Sequence, residues 1–407
     1  MEVPSRLTYF ELIFLAFTFW FASEIMSWVF SKGGPPPVLS YLAFLSFSTF
    51  VLLVKMLTGA ARIERPAWMR AGRILLWSYG FFIWTLMSFI MSSQSAVAEQ
   101  RAITQIEMTL ILCAFLLWLL NNNLHRPLCY IMVAVAVLGS VLNIYDFFVP
   151  TFTSVAGRAA GLYVNPTISG FILVLAMTCG IPVLSILWRW VFLVPASLAI
   201  ALTFSRAAWL VLGLTVLWFM WQGYFGGRAS RFILSLAAIF ALFFLGSALF
   251  SGSLADLVLA SPIASYLDSN TVSRLGGSEF ATDGSAQERA AVAGLAISSF
   301  LSGSNPLVGH GIGYTHEWAM PVSTHNMYLM NLVEGGMIGL SFFVSLLVLA
   351  WRNASGISKL VILQIAVDSS FDHNVLDSPG RVLFIAIAAS GILDYPTARG
   401  SPDEKAP

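Results

Sequence analysis

Polar residues are so sparse along this chain that they act as punctuation. Between them lie apolar stretches at 8–30, 38–58, 73–92, 102–120, 128–146, 166–187, 190–204, 207–225, 231–250, 326–351, 357–371 and 380–395. A helix needs ~20 mostly apolar residues to cross a hydrocarbon core of ~30 Å, where the backbone must satisfy its own hydrogen bonds. The pattern therefore predicts an all-α polytopic integral membrane protein with about 12 transmembrane helices. Three runs, 190–204, 357–371 and 380–395, are short for that thickness, and 357–371 also carries Gln364 and Asp368.

One stretch breaks the rhythm. Residues 251–324 are rich in Ser, Gly and Asp, and a loop of that length without a role is uncommon. Within it a short apolar helix is expected at Leu254–Leu259, before Pro262. A longer one is expected at 286–301, opened by Asp283 or Ser285 as N-cap. Asn305-Pro306 and Gly309, Gly311 and Gly313 predict a tight irregular connection. The expected organisation is nine helices in 1–250, a large helical loop in 251–324, three helices in 325–395 and a polar tail in 396–407. No small-residue cleavage site follows the first apolar run, so it is read as a retained helix.

Composition narrows the class. Of 407 residues, 58% are hydrophobic and 10% charged, against roughly 25% charged in soluble proteins, which excludes a soluble enzyme, a disordered chain and a disulfide scaffold. The net charge of +1 offers no basic field to nucleic acid. Cys113, Cys129 and Cys179 all lie in apolar runs and read as small buried hydrophobes. With the N-terminus inside, fourteen of the 21 Lys and Arg residues fall on the inner face and seven on the outer. The positive-inside rule favours that orientation, with both termini cytoplasmic and the large loop outside.

Chemistry enters through the few charges that remain. There is no Gly-x-x-x-x-Gly-Lys-[Ser/Thr] for nucleotide phosphates, and neither an Asp-x-Asp pair nor a His-x-x-x-His cluster marks a metal site. Glu11, Glu24, Glu107, Glu334 and Asp368 fall within apolar spans, where carboxylates are expensive. An ion-coupled transporter would want such groups and a lipid-diphosphate flippase would want outer arginines, so transport is the runner-up class, although no two halves of the chain repeat. Glu334 beside Gly335-Gly336 reads structurally, with the glycines permitting close helix contacts and the carboxylate paired internally.

The outer basic set is almost all arginine, whose planar fork matches phosphate oxygens. Arg206 follows Thr203-Phe204-Ser205 in a very short connection, Arg289 lies on the expected loop helix, and Arg158 precedes Gly161 and Asn165-Pro166. His325, in Thr324-His325-Asn326 where the loop meets the tenth run, is the side chain best suited to take a proton near neutral pH. His310 and His316 have weaker claims. Together these residues suggest an anionic membrane-embedded substrate, such as a lipid-linked diphosphate, with one base beside it.

Four short motifs in order then resemble the O-antigen ligase and polymerase family of membrane glycosyltransferases. They are Arg158…Gly161…Asn165-Pro166; Ser205-Arg206-Ala207-Ala208-Trp209; Arg289 ahead of Asn305-Pro306-Leu307-Val308-Gly309-His310-Gly311; and His325-Asn326 followed by Gly336 and Gly339. The family pattern often continues with two threonines, where this chain has Leu340-Ser341.

The resemblance implies a GT-C-like helical fold in a Gram-negative inner membrane, with the active site facing the periplasm. It implies transfer of O-antigen glycan from undecaprenyl diphosphate to lipid A–core oligosaccharide, without metal, nucleotide or other cofactor. A polymerase or a protein O-oligosaccharyltransferase would share the donor. Carried over by motif, His325 would activate the acceptor hydroxyl, while Arg206 and Arg289, with Arg158 as a helper, would hold the diphosphate. Asn326, Arg101, Arg381 and Asp372 are the accessory candidates.

Overall fold

The computed structural model describes residues 7–58, 65–155, 157–225, 284–303, 305–318 and 323–394. The expected span at 231–250, the first part of the large loop with its short helix at 254–259 and Arg274, and the tail lie outside them. Every regular element among the described residues is a helix. They are α1 (Tyr9–Ala22), α2 (Ile25–Ser31), α3 (Pro37–Leu57), α4 (Arg65–Ile90), α5 (Ala96–Leu119), α6 (His125–Phe148), α7 (Pro166–Gly180), α8 (Ile186–Ala201), α9 (Arg206–Trp221), α10 (Gly284–Ser302), α11 (Tyr314–Glu317), α12 (Met327–Asn353), α13 (Gly356–Asp368) and α14 (Pro379–Ser390).

Each apolar run within the described residues became a helix, but not each became a full span. Six are long and apolar enough to cross a membrane: α3, most of α4, α5, α6, α7 with its one-turn extension to Val183, and α12. The first run is a bent pair, α1 and α2, with 59° between them. Helices α8, α9 and α14 are apolar but shorter, and α13 has only 13 residues. Set beside the expected 12 or so crossings, the described residues hold six long helices, one broken one and several short ones. The loop helix expected at 286–301 is α10.

Two breaks shape the bundle. At the first, Glu24 takes a left-handed φ of 53° between α1 and α2, and its carboxylate accepts from Ser27 Oγ at 2.8 Å and Ser378 Oγ at 2.6 Å. A carboxylate in an apolar bundle is tolerable only when hydrogen-bonded, so the break is tied to the far end of the chain.

At the second, α12 kinks at Gly336, with φ 60° and ψ −159°. A kink forfeits ladder bonds, and here the 305–311 segment replaces them. His310 and Gly311 donate their N–H groups to the carbonyls of Val333 and Glu334, at 3.0 and 2.8 Å. Met337 and Ile338 donate to the carbonyls of Pro306 and Leu307, at 3.0 and 3.1 Å. Backbone meets backbone: a Cβ on Gly309 would lie 2.5 Å from the Gly336 nitrogen. The close approach read from Gly335-Gly336 is therefore made to a crossing loop segment as well as to Trp84 of α4, which faces Gly335.

The short helices hold together through polar knots as well as packing. Gln364 of α13 donates to Thr178 Oγ1 of α7 at 2.7 Å and to Thr215 Oγ1 of α9 at 2.6 Å. This buried amide explains how an apolar run can carry a Gln. Cys129 and Cys179 are buried free thiols, as expected, and Cys113 is half-buried.

Gly336→Ala should destabilise the fold by on the order of 3 kcal/mol, since its methyl would strike the Leu307 carbonyl at a positive φ. Gly294→Ala, whose methyl meets nothing within 4 Å, is the control. Thermal unfolding in detergent should show a clear drop for the first only; equal midpoints would contradict the crossing.

Candidate functional site

One end of the bundle is built from helix starts. Asn165, Ser205, Asn326 and Ser378 cap α7, α9, α12 and α14, each side chain accepting a first-turn backbone N–H. These starts are neighbours. A Cβ on Gly170 of α7 would touch Ala208 of α9, Met327 of α12 donates to the Ser369 carbonyl, and Gly380 of α14 abuts Ile172 of α7. Four such starts bias this end toward negative ligands through their exposed N–H groups and aligned dipoles.

The floor of this end is recessed. Helices α13 and α14 rise only ~20 and ~18 Å at 1.5 Å per residue, well short of a ~30 Å core. Gly380 packs against Ile172, in the second turn of α7, and against the Phe21 carbonyl of α1. The connection 369–378 is thus drawn in among helix ends, where its polar groups need partners within the protein.

Three charge clusters hold it there. Arg381 is fully buried, with Nε 3.1 Å from Asp368 Oδ2 and Nη2 donating to Asp372 Oδ2 at 2.7 Å. Arg101 of α5 pairs with Asp377 and donates to Met330 Sδ at 3.4 Å. Glu24 takes Ser378, as above. The accessory candidates Arg101, Arg381 and Asp372 are thus brought together, with their charges engaged inside the protein. Asp368, a carboxylate that a transporter could use, is committed to Arg381; Glu107 remains half-buried on α5.

Above the floor three of the five histidines gather. His325 immediately precedes Asn326, which caps α12 and donates its Nδ2 to the Ser370 carbonyl at 3.2 Å. The His325 ring lies 5.6 Å from that of His373, at 73°, and His373 lies 5.7 Å from His316, at 62°. His316 Nδ1 is 3.7 Å from Glu334 Oε1, which also accepts from Thr315 Oγ1 at 2.6 Å and Thr315 N at 3.1 Å. Glu334 is therefore paired internally, as its sequence context suggested. His310 stands apart, stacked on Tyr314 at 4.2 Å with Nε2 at 3.1 Å from the Ser299 carbonyl.

Electrostatics set the protonation of this group. Burial lowers His325 below the usual imidazole value; Arg289 adds to the effect, while Asp372 and Glu288 oppose it. His373 is pushed down by burial to about 4, against the pull of Asp372 and Asp377. Asp372 is pushed up by burial, but Arg381 and the Asn374 N–H outweigh that and hold it below the carboxylate range. At neutral pH, then, His325 and His373 are neutral rings over an ionised floor. A neutral imidazole next to a guanidinium can accept a proton.

The remaining arginines fall into place around α9. Arg206 is its first residue, and Arg158 Nε donates to the Thr203 carbonyl at 2.8 Å, three residues before it. The chain around Arg158 is organised by Asp146, a residue the sequence reading passed over. Its Oδ1 accepts from Thr151, Phe152 and Thr153 N–H at 2.9, 2.7 and 3.3 Å, and its Oδ2 from Ala160 and Gly161 at 2.9 and 3.1 Å. A carboxylate closing an apolar run ahead of Pro150 and a Thr/Ser turn was the available signal. His373 and Asp377 were also missed; they lie at the junction of two runs that were ambiguous in length.

These features define an all-α, multi-pass membrane protein with a basic, histidine-bearing recess at one end of its bundle. Residues 191–344 match the family model described as O-antigen ligase, so the resemblance read from the motifs holds over that segment. The match runs from α8 into α12 and takes in Arg206, Arg289, His325 and Asn326; Arg158, Arg101, Asp372 and Arg381 lie outside it. This is a ligase family of the glycosyltransferase type. No curated protein matches the chain.

Asp146→Ala removes the acceptor for five backbone donors. It should raise amide hydrogen exchange across 151–161 by at least tenfold while leaving α12 protected. Unchanged exchange there would show that the turn does not depend on this carboxylate.

Proposed function

We propose that the protein is an O-antigen ligase, which moves an assembled glycan from undecaprenyl diphosphate to lipid A–core oligosaccharide at the periplasmic face of the inner membrane. The observation that carries this reading is His325 ahead of the α12 start, ring to ring with His373 and within electrostatic reach of Arg289, inside the segment that matches the family. A lipid-linked diphosphate enters from the membrane with its phosphates at this depth. A base and guanidinium groups are what transfer from such a donor requires.

The chemistry is one displacement. His325 takes the proton of the acceptor hydroxyl as that oxygen bonds to the anomeric carbon of the donor sugar. The bond from that carbon to the diphosphate breaks, and its electron pair leaves with the phosphate oxygen. Negative charge grows on the diphosphate, and Arg206 and Arg289 stabilise it more in the transition state than in the ground state. Arg158, anchored on the Thr203 carbonyl beside Arg206, supports the same corner. The His325 imidazolium then gives its proton to water. Attack opposite the leaving group inverts the anomeric configuration. Arg206 as the first residue of α9, with the free N–H groups of the α9 and α12 starts, suits an anionic leaving group at this end.

His325→Ala should lower transfer to lipid A–core by about 10²–10⁴-fold without loss of membrane insertion. Arg206→Lys and Arg289→Lys should each remain impaired, because lysine lacks the two-pronged fork. Wild-type rates in the histidine variant would remove it as the base. The pH profile carries a further expectation. Since burial and Arg289 lower His325 in the free protein, the acid limb of kcat/KM should lie below the ordinary imidazole value of about 6.5, with activity falling as the pH drops through it. An acid limb above that value would contradict the assignment.

A further inference from the structure

A general base works only when its ring presents the right atom, and at His325 the backbone does half of that task. Its φ of 47° is a left-handed value that non-glycine residues seldom hold. It is fixed between the Thr324 hydroxyl, which donates to the Asn326 carbonyl at 2.9 Å, and the Asn326 cap of α12. Rotation about two side-chain bonds still decides which way the imidazole faces. Bases that carry catalysis are oriented by a third group, most simply one in direct contact. The ring in contact with His325 is that of His373, edge to face.

We propose that His373 is a positioning residue that holds the His325 imidazole with a ring nitrogen turned toward the acceptor hydroxyl; this rests on the reading of His325 as the base.

His373 is itself immobilised from below and beside. Asp372 is locked by Arg381 and by the Asn374 N–H, which donates to it at 2.8 Å, so the residue before His373 cannot shift. On its other side His373 meets His316, whose Nδ1 is 3.7 Å from the buried Glu334. His373 Nδ1 is 4.0 Å from Asp372 Oδ1, beyond hydrogen-bond reach, so the ring is held by its packing against His325 and His316. An edge-to-face ring pair of this kind has a preferred geometry of its own.

Charge on the surrounding elements keeps the arrangement compatible with catalysis. Glu288 and Arg289 of α10 and Asp372 of the connection act on His325. Asp372, Asp377, Arg101 of α5 and His316 act on His373, which stays neutral well below neutral pH. His373 therefore brings no second positive charge to oppose the imidazolium that forms at His325. It also shields that ring from water, so its loss would expose His325 and return its ionisation toward the ordinary range.

The test uses the full-length protein in lipid nanodiscs, with His373→Ala and His373→Phe compared in transfer from a polyprenyl-diphosphate glycan. His373→Ala should lose about tenfold to a hundredfold in kcat with KM for the donor within about twofold. Its acid limb should also move up in pH. His373→Phe restores an aromatic ring without nitrogen and should recover most of kcat and the original limb. A His373→Ala enzyme with wild-type kcat and an unmoved limb overturns the proposal. So does a folded His373→Phe enzyme as impaired as His373→Ala, since the nitrogen rather than the ring would then be required.

Diethyl pyrocarbonate modification of His325 against pH, read by peptide mass spectrometry, gives a readout independent of turnover. The midpoint should rise in His373→Ala and not in His373→Phe. If wild-type protein shows no transfer while this shift occurs, the proposed reaction fails and the ring contact stands. An unmoved midpoint in both variants overturns the contact.

Discussion

A guanidinium buried in an apolar bundle must be neutralised where it stands, and Arg381 is such a group. Taking its charge out of water costs several kcal/mol, repaid only by close carboxylates with good geometry. Asp368 at the end of α13 and Asp372 in the following connection provide them. Asp368 closes α13 and Arg381 lies in the first turn of α14, so the two short helices meet through this pair. They stop early, and the connection between them folds down onto the arginine. Much of this end follows from that constraint: the packing of Gly380 against Ile172, the pairing of Asp377 with Arg101, and the hydrogen bond from Ser378 to the broken first span.

The floor in turn places the chemistry. His373 follows Asp372 directly, so locking one locates the other beneath His325. The ceiling is set by a different device, the interlocked backbone of 305–311 and the kinked α12. By lending its amides and carbonyls to the four groups orphaned at Gly336, that segment orders the chain between α10, which carries Arg289, and α11, which carries His316. Base and arginine thus belong to elements joined at the same kink. An ionised floor, neutral rings and guanidinium groups near helix starts form a site graded in charge from the bundle interior to its mouth.

Much of this was legible in the sequence, and the divisions are physical. Apolar runs announced helices because burying a backbone in lipid leaves few alternatives. The residues of the family match, Arg206, Arg289 and His325, were found through local motifs. What the sequence hid were pairings across long separations: Arg101 with Asp377, and Glu24 with Ser378, join chain segments that share no local pattern. For the same reason the sequence could not show that the accessory candidates are ion-paired within the protein, Arg381 with Asp372 and Arg101 with Asp377. Among the described residues run length did not separate long helices from short ones, because hydrophobicity reports burial and says nothing of whether lipid or protein does the burying. The glycines of α12 carried the right message, close approach, but the approaching chain includes a loop strand.

The central claim, that this recess transfers a glycan from a lipid diphosphate to lipid A–core, is tested most directly by supplying both substrates to the purified protein in proteoliposomes. Defined undecaprenyl-diphosphate glycan would be offered with either lipid A–core or a growing glycan as acceptor, in the presence of a chelator. The account predicts glycan on lipid A–core, with inverted anomeric configuration and no loss of rate to the chelator. Transfer to the growing glycan alone, or movement of donor across the bilayer without any transfer, would contradict it.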